Sequence, residues 1–240
     1  MTEVLQAFHK AFQDLLRPRV FAMVLLPVLA ATALWAFLGW FFWARYTGWL
    51  NGLLFATSAG KWIAGWSPGT TEFLIAALAL ALIAPCVLIT AMVITEFFTM
   101  PGLVNFVAQR YYPTLQRRHG GTIWAGVVNS VVAITLFVML WLVTLPLWFT
   151  GIGAVLVPLL NSAYLNQRIF RHDALSDHAS RDELRVLNST NRRKLFVLGL
   201  LPAGFLYVPL VNLLVPALTG LAFTHYQLHA LARIRSERAN

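Results

Sequence analysis

The chain has a single cysteine, Cys86, so a disulfide within the chain and a two-cysteine metal site are both excluded. Charge is also scarce, at 11% of 240 residues, and acid is scarcest: nine Asp and Glu stand against eighteen Lys and Arg, a formal +9. A soluble domain carries roughly 25% charged residues. Here 59% of the residues are hydrophobic, which excludes a water-soluble globule, a disordered chain and a fibrous repeat, and leaves an integral membrane protein. No G-x-x-x-x-G-K-[ST] run is present, and no paired carboxylates or Cys/His set suggests catalysis, so an enzyme and a bound cofactor are not expected. His225 and His229 share a helical face but have no third ligand nearby. His172, Asp173, Asp177 and His178 cluster among solvated charges, so no metal is expected at either place. Gly65-Trp66-Ser67-Pro68-Gly69 matches the nucleophile elbow of hydrolases in letters only, because Pro68 has no N–H for an oxyanion hole. The basic residues flank apolar runs instead of following one helical face, which argues against nucleic acid.

Periodicity predicts an amphipathic interfacial helix over residues 4–16. Its apolar face holds Val4, Leu5, Phe8, Phe12, Leu15 and Leu16, and Gln6, His9, Lys10, Gln13 and Asp14 are polar. Residues 20–44 and 73–95 are uncharged for 25 and 23 residues, each enough to cross about 30 Å of hydrocarbon. The first run is too long for a signal peptide and is read as retained. Residues 122–166 are uncharged for 45 residues and broken by Pro146, Gly151, Gly153 and Pro158. Two crossings only just fit, and a re-entrant hairpin fits equally well. The last apolar segment, 195–223, is too long for one helix and too short for two complete crossings, which favours a hairpin of half-depth helices. Between these hairpins, residues 167–194 form a polar head in which Ser180 and Glu183 have the spacing of a capping box. The expected fold is therefore all-α, a single membrane domain over 1–240 with two long spans, two partly inserted hairpins and a short helical head. With both termini inside, 16 of the 18 Lys and Arg fall on the cytoplasmic side.

The most suggestive chemistry lies at Leu16-Arg17-Pro18-Arg19. A helix starting at Pro18 leaves N–H groups unpaired at the positive end of its dipole, and two arginines beside them suit a doubly charged oxyanion. Anchoring to lipid phosphates explains the same arginines. Glu96, which follows the second span, fits either a charge pair within the bundle or a place at the interface. Asn105 and Asn212 are polar groups in apolar stretches that suit either a solute path or interhelical hydrogen bonds.

The run from Leu200-Leu201-Pro202 through Tyr207-Val208-Pro209-Leu210-Val211-Asn212-Leu213-Leu214-Val215-Pro216 resembles the signature of the CysZ sulfate permeases, which are grouped with etoposide-induced membrane proteins. Met100-Pro101-Gly102-Leu103-Val104-Asn105 and Ala163-Tyr164-Leu165-Asn166 are also similar. The resemblance implies a bacterial inner-membrane protein, in a homo-oligomer, that admits sulfate for cysteine synthesis. It implies a Gly-Leu-Arg-type sulfate site at the first long helix, where this chain has Arg17 and Arg19 but a proline and no glycine. An acidic residue often precedes the basic position after the second span; here the pair is Gln109-Arg110. Arg17 and Arg19 are thus the expected sulfate ligands, with Glu96, Asn105, Arg110 and Asn212 along a path or gate. The competing expectation is a non-transporting scaffold whose basic head docks lipid or protein.

Overall fold

The computed structural model describes the backbone of residues 1–65, 68–208, 211 and 214–239, and their side chains except those of Ala59, Ala64, Pro68, Glu96, Ile123, Leu206 and Ala239. Trp66 and Ser67 of the elbow-like motif, and Pro209, Leu210, Asn212 and Leu213 of the signature run, lie outside these. The described residues are all helical or irregular, without strands. The helices are α1 (Thr2–Leu15), α2 (Pro18–Phe55), α3 (Ser58–Ala64), α4 (Pro68–Ile94), a π-helical turn (Thr95–Thr99), α5 (Met100–Tyr111), α6 (Ile123–Val143), α7 (Leu145–Trp148), α8 (Ile152–Asp173), α9 (Arg181–Thr190), α10 (Arg192–Ala203), a 3₁₀ turn (Gly204–Tyr207) and α11 (Val215–Ala239).

The chain packs as two compact units, residues 22–99 and residues 1–21 with 100–240. In the first, the α2 side chains Leu50, Tyr46 and Leu54 pack on Ile75 and Ala79 of α4, and Trp35 Nε1 donates to Thr90 Oγ1 at 2.9 Å. Most other side chains of this pair point outward, including Leu26, Leu29, Phe37, Trp40 and Phe41 on α2 and Leu80, Leu88 and Ile89 on α4. Outward apolar faces are what lipid solvates. Among the described residues, three stretches are long and apolar enough to cross a membrane: Pro18–Phe55, Gly69–Tyr111 and Trp124–Val143. The π-helical turn has a local cause in Pro101, which cannot donate to the carbonyl four residues back and crowds it, so the preceding turn widens.

In the second unit α11 is central. Ala217, Leu218, Leu221, Ala222, Phe223, Leu228 and Leu231 are buried, and so are the polar Thr219, Thr224, His225 and Gln227. Thr219 and Thr224 satisfy their hydroxyls on the carbonyls four residues back, those of Val215 and Gly220, each at 2.7 Å. The last apolar segment therefore has its first arm in α10 and a second arm that continues well past Phe223. Thr224, His225 and Gln227 face protein, whereas His229, Arg233 and Ser236 are exposed.

Helix α1 lies along α11 through Val4, Ala7, Ala11, Asp14 and Leu15. Its two alanines allow a close approach, while Leu5, Phe12 and Leu16 remain exposed. The helix thus has two apolar faces, one on protein and one outward, and the expected polar residue Asp14 is on the buried side. Residues 123–173 form a helical hairpin, with Thr122 Oγ1 capping α6 at Ala125 N. In the head, Ser180 and Glu183 close the capping box that starts α9. The segment before α6 runs beside the head, where the N–H groups of His119, Gly120 and Gly121 donate to the carbonyls of Asp177, Ala179 and Ser176 at 2.8–3.0 Å. A Cβ on Gly120 would stand 2.4 Å from the Ala179 carbonyl oxygen, so this approach requires glycine.

Candidate anion-binding site

Only nine acids serve eighteen strong bases, so the acids decide which bases remain free. Three of them act as double staples. Glu3 holds Lys194 at 2.7 Å and Arg233 at 2.9 Å, and the Lys194 hydrogen bond keeps its carboxyl below the usual range. Glu183, almost fully buried, holds Arg235 at 2.9 Å and Arg118 at 3.1 Å. The third is Asp14.

Asp14 is fully buried where α1 turns into α2. Its Oδ1 accepts from the Tyr111 hydroxyl at 3.0 Å and pairs with Arg17 Nε at 2.6 Å; its Oδ2 meets His225 Nε2 at 2.9 Å. Burial holds the His225 pKa below its ordinary value against the pull of Asp14. The ring is therefore neutral at pH 7, with Nε2–H donating to the carboxylate. Tyr111 meets the same imidazole edge-on, with centroids 4.9 Å apart. The ring's Nδ1 is buried without a partner.

Arg17 is thereby held by an ion pair at Nε, and its guanidinium makes no hydrogen bond among the described residues. Two residues on, Arg19 is exposed and unpaired among the described residues. Between them Pro18 opens α2, whose first turn carries no acid. Phe21 N–H donates back to the Arg17 carbonyl at 2.9 Å, and the N–H groups of Arg19 and Val20 precede that first bond. The corner places two arginines, two residues apart in sequence, and a helix N-terminus beside one carboxylate, a net positive stretch; Lys10 lies over the Tyr111 ring at 5.8 Å. Such a corner can take a tetrahedral oxyanion through charge-assisted hydrogen bonds.

Asn105 is on α5, where its Oδ1 accepts from Arg117 Nη2 at 2.7 Å. Arg110 is exposed, its guanidinium 5.9 Å from the Tyr111 ring centroid. Glu96 falls in the π-helical turn and its side chain lies outside the described residues, as does Asn212. A small cavity of about 40 Å³ adjoins the corner, lined by Lys10, His225, Glu3, Tyr112 and His229 among others, and two larger ones do not include its residues. One of about 170 Å³ between α3 and α4 is lined by apolar groups such as Ile63, Leu74 and Leu78. A second, of about 320 Å³, is lined by Arg118, Arg235 and Thr114 among others. Sequence reasoning missed Asp14, Tyr111 and His225, which orient Arg17. The i, i+3 spacing of Asp14 and Arg17 was the available signal.

A comparison with family models matches residues 7–216 to the family described as sulfate transporter CysZ/etoposide-induced protein 2.4. No curated protein and no solved structure matches the chain significantly.

Proposed function

The chain belongs to the sulfate transporter CysZ/etoposide-induced protein 2.4 family, and from that premise we propose that it is a sulfate permease of the bacterial inner membrane, supplying sulfate for cysteine synthesis. The supporting observation is the Arg17–Arg19 corner at the start of a helix long enough to cross the membrane. Arg17 and Arg19 capture the dianion on the cytoplasmic side, where both termini lie. Asp14 orients Arg17 without neutralising Arg19. Asn105, Arg110, Glu96 and Asn212 are the path or gate residues of this reading. A bare dianion cannot cross hydrocarbon, so several copies of the chain together supply a wet polar route.

The rival is a non-transporting scaffold. It is favoured by the Arg17–Asp14 and Arg117–Asn105 pairings, which use polar groups for packing. Labelled-sulfate uptake by proteoliposomes separates the two. The permease reading expects Arg19→Ala to slow uptake, and the Arg17→Ala, Arg19→Ala pair to abolish it, in protein of unchanged size-exclusion profile. Uptake equal in the native chain and the double variant moves the anion site elsewhere. No uptake by either leaves the scaffold.

A further inference from the structure

A second group of arginines lies on α8 and at the start of α10, and among the described residues no acid pairs with it. On the last turns of α8, Tyr164, Arg168 and Arg171 recur at i, i+4 and i+7, and so share one face. Arg168 Nη1 donates to the Tyr164 hydroxyl at 3.0 Å, while Arg168 Nε is buried with no partner. Arg192, the first residue of α10, joins them. Gln167 Nε2 donates to the Arg192 carbonyl at 2.9 Å and pins the start of α10 to α8. The two helices pack closely: a Cβ on Gly199 would stand 2.6 Å from the Ala163 carbonyl oxygen.

The three guanidiniums repel one another. Burial first, then the charges of Arg168 and Arg192, push the Arg171 pKa below the usual arginine value. None of the three forms an ion pair with a carboxylate among the described residues; Glu3, Asp14 and Glu183 are committed to other bases. Helix α10 adds to the imbalance, since its Asn191 cap makes no side-chain hydrogen bond and its first turn carries no acid. That end of a helix is positive, so it disfavours Arg192 and welcomes an anion. The negative end of α8, near Arg171, offsets only about half a charge. Three half-buried or surface arginines, a phenol hydroxyl and a helix start without a side-chain cap thus lie on neighbouring turns of α8 and α10.

We propose that Tyr164, Arg168, Arg171 and Arg192 form a second oxyanion site, taking a tetrahedral sulfate or phosphate group, either as the free ion or as the phosphodiester of an anionic lipid. It is independent of the Arg17–Arg19 corner and of whether the chain transports sulfate. Arg168 and Arg171 grip the group from α8, and Arg192 with the α10 backbone closes over it. An occupied site ties α8 to α10 and so braces the head against the hairpin.

The test uses the full chain in detergent. Thermal unfolding is followed in inorganic sulfate, inorganic phosphate and chloride of matched ionic strength, and phosphatidylglycerol carried through purification is counted by native mass spectrometry. The variants are Arg192→Gln, at an exposed position that keeps the fold, the Arg171→Gln, Arg192→Gln pair, and Arg17→Ala, Arg19→Ala as comparator. A free-ion site gives the native chain a saturable midpoint shift with sulfate or phosphate over chloride. That shift survives in the comparator and is weakened about tenfold in apparent affinity by Arg192→Gln. A lipid site gives no ion-specific shift, but bound phosphatidylglycerol falls at least two-fold in Arg192→Gln and not in the comparator. The proposal is overturned if Arg192→Gln matches the native chain in both readouts, or if the comparator loses as much as Arg192→Gln does.

Discussion

The Glu183 staple offers the sharpest stability test, because its parts are all counted. Glu183 Oε1 and Oε2 accept from Arg235 Nε and Nη2 at 3.0 and 2.9 Å, Arg118 adds a contact at 3.1 Å, and Ser180 N donates to Oε2 at 2.8 Å. Arg235 also reaches the carbonyls of Gln116 and His178, so one guanidinium joins α11, the 112–122 segment and the head. The Arg235 hydrogen bonds lead in drawing the Glu183 pKa from 4.5 to about 2. By linkage that shift is worth about 3 kcal/mol of folding stability. A carboxyl whose folded pKa is depressed contributes in full above its unfolded value, so this stability is present above pH 4.5 and is lost as pH falls through about 2. Glu183→Gln keeps the capping-box geometry and removes the charge, leaving Arg235 mostly buried without its counter-ion. The expected loss at pH 7 is about 3 kcal/mol, read as a lowered thermal midpoint in detergent. The acid limb of the variant's stability profile should also be flatter than that of the native chain. Equal midpoints at pH 7, or identical acid limbs, would refute the reasoning.

Four further outcomes are expected. Asp14→Asn removes the charge that Arg17 faces and weakens the His225 hydrogen bond; unfolding should come at a lower temperature by the equivalent of about 1–3 kcal/mol, and an unchanged midpoint would contradict it. His225 is held neutral, its folded pKa lying below its unfolded value, so the native chain should lose stability as pH falls from 6.5 through the folded pKa. His178, depressed by burial and Arg117, adds in the same direction. Stability scans from pH 7 to about pH 5 should show a shallower slope in His225→Asn; equal slopes would sink the assignment. Gly199→Ala places a methyl against the Ala163 backbone and should cost about 1–3 kcal/mol, measured by thermal unfolding. Gly220→Ala should cost less, because the close contacts of its Cβ are with the movable end of Met100, and Phe170 lies at an ordinary 3.7 Å.

Composition and run length made the helical fold and the long apolar helices legible, since twenty uncharged residues have few other uses. The capping box at Ser180 and Glu183 was legible for a local reason, as both partners lie within one turn. What stayed hidden depends on contacts distant in sequence. Thr224, His225 and Gln227 are polar, and periodicity alone cannot show that a buried helix satisfies them on its own carbonyls, on Asp14 and on Asn188. Helix α1 misleads in the opposite way: Leu5 and Phe12 of its apolar face point outward, and the protein contact is made by Val4, Ala7, Ala11 and Leu15. Of the anion corner, the arginines were readable as a motif. Their orientation was not, because Asp14 is set by Tyr111 and His225, 97 and 211 residues away.

The central claim is tested most directly by the native chain alone: labelled-sulfate flux into proteoliposomes under an imposed sulfate gradient, beside protein-free liposomes of the same lipid. The account predicts saturable uptake well above the protein-free control, competed by unlabelled sulfate. Uptake equal to the control, from protein that is folded and inserted, would contradict it.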